Sequence, residues 1–199
     1  GRGVLQVAID SSKAGDTLIL ESGTYTGSIN ITRGLNLLGD ETSIIDGEGT
    51  AHVITVSAPD VIIKGVNIQH SGNDLNSEDS AIFITEEGDR TLIEDNYFEN
   101  NLIGVYLKGP ESVTVRNNII VGSQHHRMND RGNGIYLWNT PGSVIENNDI
   151  RYGRDGIFVN TSRNNVFHGN RLRDLRFAIH YMYANDSEVS DNISINNHV

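Results

Sequence analysis

The chain has 199 residues, with 15 Lys+Arg against 26 Asp+Glu and a net charge of −11 with its seven His neutral. That length holds one domain or two small ones, and the acidic balance excludes nucleic acid as a general partner, because phosphate neutralisation needs a basic face. With no Cys there is no disulfide, thiolate metal site or Cys nucleophile, and no apolar run reaches the roughly 18 residues of a membrane span. Only three Pro and one Trp stand against 21 Gly, and Asn, Ile and Val are abundant. That composition points away from a helical bundle. The chain begins at Gly1 without a signal-peptide pattern, as a mature or trimmed chain would.

In chain order, the first runs are Asp16-Thr17-Leu18-Ile19-Leu20, Leu35-Asn36-Leu37-Leu38, Val53-Ile54-Thr55-Val56 and Val61-Ile62-Ile63, all read as strands. His70 to Asp79 is polar and reads as a loop. From there a repeat is clear. Asn96, Asn118, Asn148, Asn170 and Asn192 are spaced by 22, 30, 22 and 22 residues. Each has an apolar residue three before it: Ile93, Val115, Ile145, Phe167 and Val189. A second frame, Ala81-Ile82, Gly104-Val105, Gly134-Ile135, Gly156-Ile157 and Ala178-Ile179, steps by 23, 30, 22 and 22. The period is therefore about 22, with one insertion of about eight residues.

Short alternating runs such as Ile135-Tyr136-Leu137, separated by Gly and Asn, make each unit two or three strands and turns. This predicts an all-β fold, a right-handed parallel β-helix in which the repeated Asn stacks at a bend and bonds backbone or the next Asn. The Leu density and helical half of a leucine-rich repeat are missing, and a propeller blade needs about twice the period. No domain boundary is visible, so residues 1–199 read as a single β-helix domain. The open rung near Val199 is expected to continue into further C-terminal rungs, since an uncovered sheet edge invites aggregation.

The register assigns faces. Ile135, Ile157 and Ile179 point inward, as do Leu137, Val159 and Tyr181. Tyr136, Phe158 and His180 then point outward in one column, and Trp138, Asn160 and Met182 in the next. Exposed aromatics on a solenoid suggest a binding surface, unless a loop covers them. The insertion, Ser123 to Arg131, leaves just before the strand carrying Tyr136 and Trp138, and it is expected to fold over this face. His180 lies two turns on, about 10 Å away.

The chain has only two Met, and both follow a His at spacing two: His126-Arg127-Met128 and His180-Tyr181-Met182. On a strand, positions i and i+2 share a face, so an imidazole and a thioether reach one ion together. That soft pair favours Cu(I) over Mg²⁺ or Ca²⁺. Candidate ligands are His180, Met182, His126, Met128 and His125. The alternative is that Met182 packs against an adjoining segment and His180 hydrogen-bonds there, with His125 and His126 solvated. Arg154-Asp155 and Arg173-Asp174 read as structural ion pairs at bends. Asp149 and Arg171 read as cross-strand neighbours, which alone do not make a sugar-active site.

The stretches Arg131-Gly-Asn-Gly-Ile-Tyr-Leu-Trp-Asn139, Arg154-Asp-Gly-Ile-Phe158 and Arg176-Phe-Ala-Ile-His-Tyr-Met-Tyr183 resemble the NosD family. Gly15-Asp-Thr-Leu-Ile-Leu20, Gly23-Thr-Tyr25 and Ile45-Asp-Gly-Glu-Gly49 are similar too, though many carbohydrate-binding and sugar-hydrolase β-helices share them. The resemblance implies a periplasmic, copper-binding, non-catalytic accessory protein. It would work with the ABC transporter subunits NosF and NosY. The chaperone NosL would deliver Cu(I), held transiently, for the copper–sulfur centre of nitrous oxide reductase, NosZ. The chain itself has no Gly-x-x-x-x-Gly-Lys-Ser/Thr motif for ATP. Two other readings remain open here: a polysaccharide lyase or epimerase on the same scaffold, and a non-metal protein-docking platform.

Overall fold

The computed structural model describes residues 3–199. The chain winds into a right-handed parallel β-helix whose coils lay strands into three parallel sheets of eight, eight and seven strands. The first sheet runs from Thr17–Ile19 to Glu188–Ser190, the second from Gly23–Thr26 to Ile193–Ile195, and the third from Ile29–Ile31 to Phe177–Met182. The runs expected near residues 17–20, 35–38, 53–56 and 61–63 are the strands Thr17–Ile19, Asn36–Leu38, Ile54–Val56 and Ile62–Lys64.

Period-two alternation decides what fills the coil. In most three-residue strands the middle side chain points inward. Leu37, Ile63, Ile93, Val115, Ile145 and Phe167 form one fully buried column, and Ile45, Ile68, Phe98, Ile120, Ile150 and Leu172 another. The register Ile135↔Ile157↔Ile179 confirms the 22-residue step. Glycine in the second frame has a steric cause. A Cβ on Gly134 would stand 2.4 Å from Ile150 Cγ2 and 2.7 Å from the Gly156 carbonyl oxygen.

One element was not expected. Val4–Ser11 is a helix that buries Leu5 and Ile9, one turn apart, over the first coil. Gln6 bonds both backbone groups of Asn30: its Nε2 donates to the carbonyl at 3.0 Å and its Oε1 accepts from the N–H at 2.7 Å. The helix thus covers an edge strand that would otherwise be free to pair with another chain. Arg33 donates to the carbonyls of Asp10 and Ser12 at 3.0 and 2.6 Å and so finishes the helix C-terminus.

The predicted asparagine stack stands between the first and second sheets. Ahead of each ladder Asn, one residue takes left-handed backbone to turn the corner, among them Asp95 (φ 56°), Asn117 (φ 56°) and Asn147 (φ 54°). Each Oδ1 then accepts a backbone N–H from the preceding coil: Asn96 Oδ1 from Val66 at 3.0 Å, Asn118 from Asn96 at 2.9 Å, Asn148 from Asn118 at 3.0 Å and Asn170 from Asn148 at 3.0 Å. Each Nδ2 donates to a carbonyl of the preceding coil, such as Ile63, Ile93 and Val115, at 2.9–3.0 Å. The amides also bond one another at 2.9–3.1 Å. Asn96, Asn118, Asn148 and Asn170 are all at most 2% exposed, so no water replaces these bonds.

Outside the coil, charge is laddered as well. Glu94 takes Lys64 at 2.9 Å from one neighbouring coil and Arg116 at 2.7 Å from the other. In the last coil Tyr181 and Val189 keep the inward register of Val159 and Phe167 but are 37% and 53% exposed, as no described coil lies over them.

Two predictions test these ladders. Asn148→Ala removes a carbonyl acceptor and an amide donor, and strands the Asn118 N–H and the Val115 carbonyl in a dry corner. The expected loss is about 3 kcal/mol in urea denaturation. Glu94 has its carboxyl held below the ordinary value, by Lys64 first and, against burial, by Arg116. A depressed folded-state value means stabilisation that is present above the unfolded pKa of about 4.3 and lost as pH falls through the lower folded value. Glu94→Gln should therefore lower the urea midpoint at pH 7 by about 1–3 kcal/mol-equivalent, and flatten the acid limb below about pH 4.

Candidate functional site

The outward column of the third sheet is a stack of rings, set by in-register pairing of Phe83, Tyr106, Tyr136, Phe158 and His180. His52 caps one end against Phe83 at 4.3 Å between centroids. The next separations are 5.3, 4.6, 4.8 and 4.9 Å, ending at His180. These match the strand spacing of about 4.8 Å, so the backbone itself sets ring on ring.

The expectation of an open aromatic face needs correction. The rings do point outward, but stacking and a loop cover most of them: Tyr106 is 3% and Tyr136 8% exposed. Burial, and then hydrogen bonding to Glu78, push the Tyr106 hydroxyl well above its usual range. Glu78 lies in the polar segment 70–79, so that loop, rather than the Ser123–Arg131 insertion, reaches the column. Trp138 and Met182, one column along, are 38% and 36% exposed.

His180 is held on three sides. It stacks between Phe158 at 4.9 Å and Phe177 at 4.6 Å. Its Nδ1 lies 2.9 Å from Asp155 Oδ2. Asp155 is 1% exposed and accepts both arms of the Arg176 guanidinium at 2.8 and 2.7 Å. Arg176 in turn lies over the Phe177 ring, 4.9 Å from its centroid. A carboxylate held in this way only accepts, so Nδ1 carries the proton and donates it. Among the described residues Nε2 has no hydrogen-bond partner, and in the neutral ring it presents its lone pair. Met182 follows two residues on, on the same face of the strand. Asp155 thus pairs with Arg176 and His180, not with its neighbour Arg154 as its position at a bend suggested. Asp149 and Arg171 are cross-strand neighbours, as read from the sequence.

The inserted loop goes elsewhere. Arg131 donates to the carbonyls of His126 at 2.8 Å, Gln124 at 3.2 Å and Tyr152 at 3.3 Å. Those bonds pin the loop along the corner between the second and third sheets. His126 lines a cleft there with His70, and Met128 lines a separate recess with Tyr152, Asp174 and His198. His125 is exposed and bonds through its backbone N–H to Ser123 Oγ at 3.3 Å. Neither recess includes His180 or Met182. His180 and Met182 thus lie two residues apart on the strand Phe177–Met182, and His125, His126 and Met128 belong to the loop along the corner. The sequence reading expected the loop to converge on His180; the hold of Arg131 on three carbonyls is the physical reason that it does not. Among the described residues no three His, Asp or Glu groups are already grouped to hold a metal.

The model of the family described as "Periplasmic copper-binding protein (NosD)" matches residues 10–129 and 117–199. The chain belongs to the NosD family. A "Probable ABC transporter binding protein NosD" of Stutzerimonas stutzeri is 35% identical over 137 residues, and one of Pseudomonas aeruginosa 31% identical over 137 residues. Each alignment takes in 69% of this chain but only 31% and 32% of the relative, so the chain spans about a third of their length. Among solved structures, pectate lyase Pel9A matches with a TM-score of 0.68 at 15% identity, over 85% of this chain and 48% of that one. An alginate lyase from Paenibacillus matches at 0.63 and 14% identity, over 96% of both chains. These two likenesses concern the fold. The second NosD-family match contains Asp155, Arg176, His180 and Met182; the loop histidines fall where the two matches overlap. Among the described residues no helix is long and apolar enough to cross a membrane.

Sequence reasoning missed Asp155 and Arg176 as supports of His180. Removing the carboxylate tests the arrangement. Asp155→Ala leaves a guanidinium 79% shielded at its side chain without its partner, and an expected stability loss of about 3 kcal/mol would appear in urea denaturation.

Proposed function

We propose that this chain is the copper-handling β-helix of a periplasmic NosD-type accessory protein, one that binds and passes on Cu(I) without catalysing a reaction. The observation that carries this reading is the Asp155–His180–Met182 arrangement: an imidazole whose Nδ1–H is fixed by a buried carboxylate, whose Nε2 is unpartnered, and a thioether two residues along the same strand face.

The chemistry fits a soft ion. Imidazole and thioether together select Cu(I), whereas hard cations take oxygen. Metal-binding His residues commonly donate their second ring N–H to a carboxylate, which fixes the ring and raises the basicity of the ligating nitrogen. Phe158 and Phe177 hold the ring plane, so little ordering remains to be done when an ion arrives. A site with two strand donors stays open on the solvent side. A donor from a partner can enter there and take the ion, which suits transient holding.

The names of the relatives, ABC transporter binding proteins, support a transporter as partner. In this reading NosF and NosY provide the transporter, NosL delivers Cu(I), and the ion is destined for the copper–sulfur centre of nitrous oxide reductase, NosZ. The sugar-active alternative draws on fold likeness alone, and fold is no guide to reaction. A docking role for Trp138 and the ring column is compatible with copper handling but does not by itself account for the unpartnered Nε2.

The test is an anaerobic Cu(I) titration against a competing chelator. The His180→Ala/Met182→Ala double variant should bind at least tenfold more weakly than wild type. Asp155→Asn should weaken binding by about 10–100-fold, the usual effect of losing a carboxylate behind a ligating His. Unchanged affinity in the double variant would remove the site.

A further inference from the structure

Charge is spread unevenly along this chain. Its net charge is −11, yet residues 131–176 hold seven Arg against four Asp and Glu. Three of these guanidiniums share the outer face of the second sheet. Arg151 and Arg173 are register neighbours on adjacent strands, and Arg171 stands two residues before Arg173 on the same face. Like charges one strand spacing apart destabilise a sheet unless a counter-charge sits among them. On the strands Asp149–Arg151 and Arg171–Arg173 the one carboxylate is Asp149.

That single carboxylate leaves the group short of negative charge. Asp149 Oδ1 stands 3.5 Å from Arg173 Nε, and both atoms are buried without a hydrogen bond. Arg151 Nε is buried without an acceptor as well. The Arg151 guanidinium carbon lies 6.0 Å from the centroid of the Tyr152 ring, a contact that orients the group but does not neutralise it. Among the described residues neither Arg151 nor Arg171 has a carboxylate within salt-bridge reach. Asp174, next to Arg173, takes the Asn196 amide instead. Apolar side chains frame the arginines. Ile119 precedes Asp149 and Arg171 in their outward column and Ile193 follows them, while Val121 and Ile195 bracket Arg151 and Arg173. The three isoleucines are exposed.

We propose that this face docks a protein partner through an extended acidic segment, one that presents carboxylates on alternate residues with apolar side chains beside them. Arg171 and Arg173 stand about 6.6 Å apart along their strand, the spacing of carboxylates at i and i+2 of an extended segment. Guanidinium meets carboxylate through two parallel hydrogen bonds, and Arg and Tyr are the usual anchors of a protein interface, with apolar neighbours keeping water out. A bilayer suits the face less well. Attraction to anionic headgroups acts through the summed charge near the surface, and a chain at −11 with Asp149 inside the patch is repelled. A small free anion leaves the isoleucines without a role. His180 and Met182 stand on the third sheet, so this surface and the Cu(I) site can fail separately.

The probe is a dye-labelled peptide of alternating Glu and Val, titrated with the whole chain at low ionic strength and followed by fluorescence anisotropy. Binding is expected, weakening as salt is added, and absent for the same peptide with Gln in every Glu place. Arg151→Gln/Arg171→Gln should weaken it at least tenfold. Neither arginine has an internal carboxylate partner, so the urea midpoint of that variant should be no lower than that of wild type, and its Cu(I) affinity should be unaltered. Arg90→Gln, which removes a guanidinium paired with Asp60 at another corner, should bind the peptide like wild type. Parallel titrations use phosphatidylglycerol vesicles and inorganic phosphate. No peptide binding by wild type, wild-type peptide affinity in the double variant, or loss in that variant of binding to vesicles or phosphate alone overturns the proposal.

Discussion

A solenoid coil turns a corner three times, and at each corner backbone N–H and carbonyl groups leave the sheet ladders while remaining buried. Unpaired, each would cost about 1–3 kcal/mol. From Asn96 to Asn192 one asparagine in each coil meets that demand between the first and second sheets, through a carboxamide that accepts from one coil and donates to its backbone. The amide needs a partner amide one strand spacing away, so it also locks each coil in register with the next. Asn101, Asn165 and Asn197 do comparable work at the other corners, bonding the carbonyls of Ile68, Thr140 and Leu172 at 2.9–3.0 Å.

Once that register is set, the outer wall follows without further instruction. A side chain two residues from an inward isoleucine must point inward again, and the one between them must point out. Equivalent outward residues of successive coils therefore stand one strand spacing apart, which is also a comfortable distance between stacked rings. His52, Phe83, Tyr106, Tyr136, Phe158 and His180 become a single column for that reason. His180 differs from the rings before it because Asp155 and Arg176 meet it from the corner. The corner supplies the charge and the strand supplies the imidazole and thioether. The cleft holding His70 and His126 reverses the division, with Asp46 on the strand and the rings at the corner and on the loop.

Much of this is written in the spacing of residues. The two frames around Asn96–Asn192 and Ala81–Ala178 fix the period, and the period alone places Ile157 inside and His180 outside. What spacing leaves out is what loops and long side chains do after the coil has formed. The outward rings of Tyr106 and Tyr136 look exposed in a one-strand reading, yet stacking and Glu78 cover them. The insertion starts beside the aromatic strand, yet Arg131 ties it to the corner. The helix Val4–Ser11 lies outside the repeat, and its eight residues give too short a pattern to separate from a strand.

The sequence by itself determined the solenoid, its step, its buried columns, the polar stack at one bend and the shared face of His180 and Met182. These are properties of local alternation and of identical units laid on one another, so a repeat in one dimension is enough to specify them. Only the tertiary structure decided that Asp155 and Arg176 orient His180, that Asp46 orients His70, and that the loop carrying His126 and Met128 stays away from the aromatic column. Those contacts join residues 21 to 25 positions apart, or tie a non-repeating loop to a neighbouring coil. They depend on how side chains of different lengths meet across a corner, where no periodic rule dictates direction.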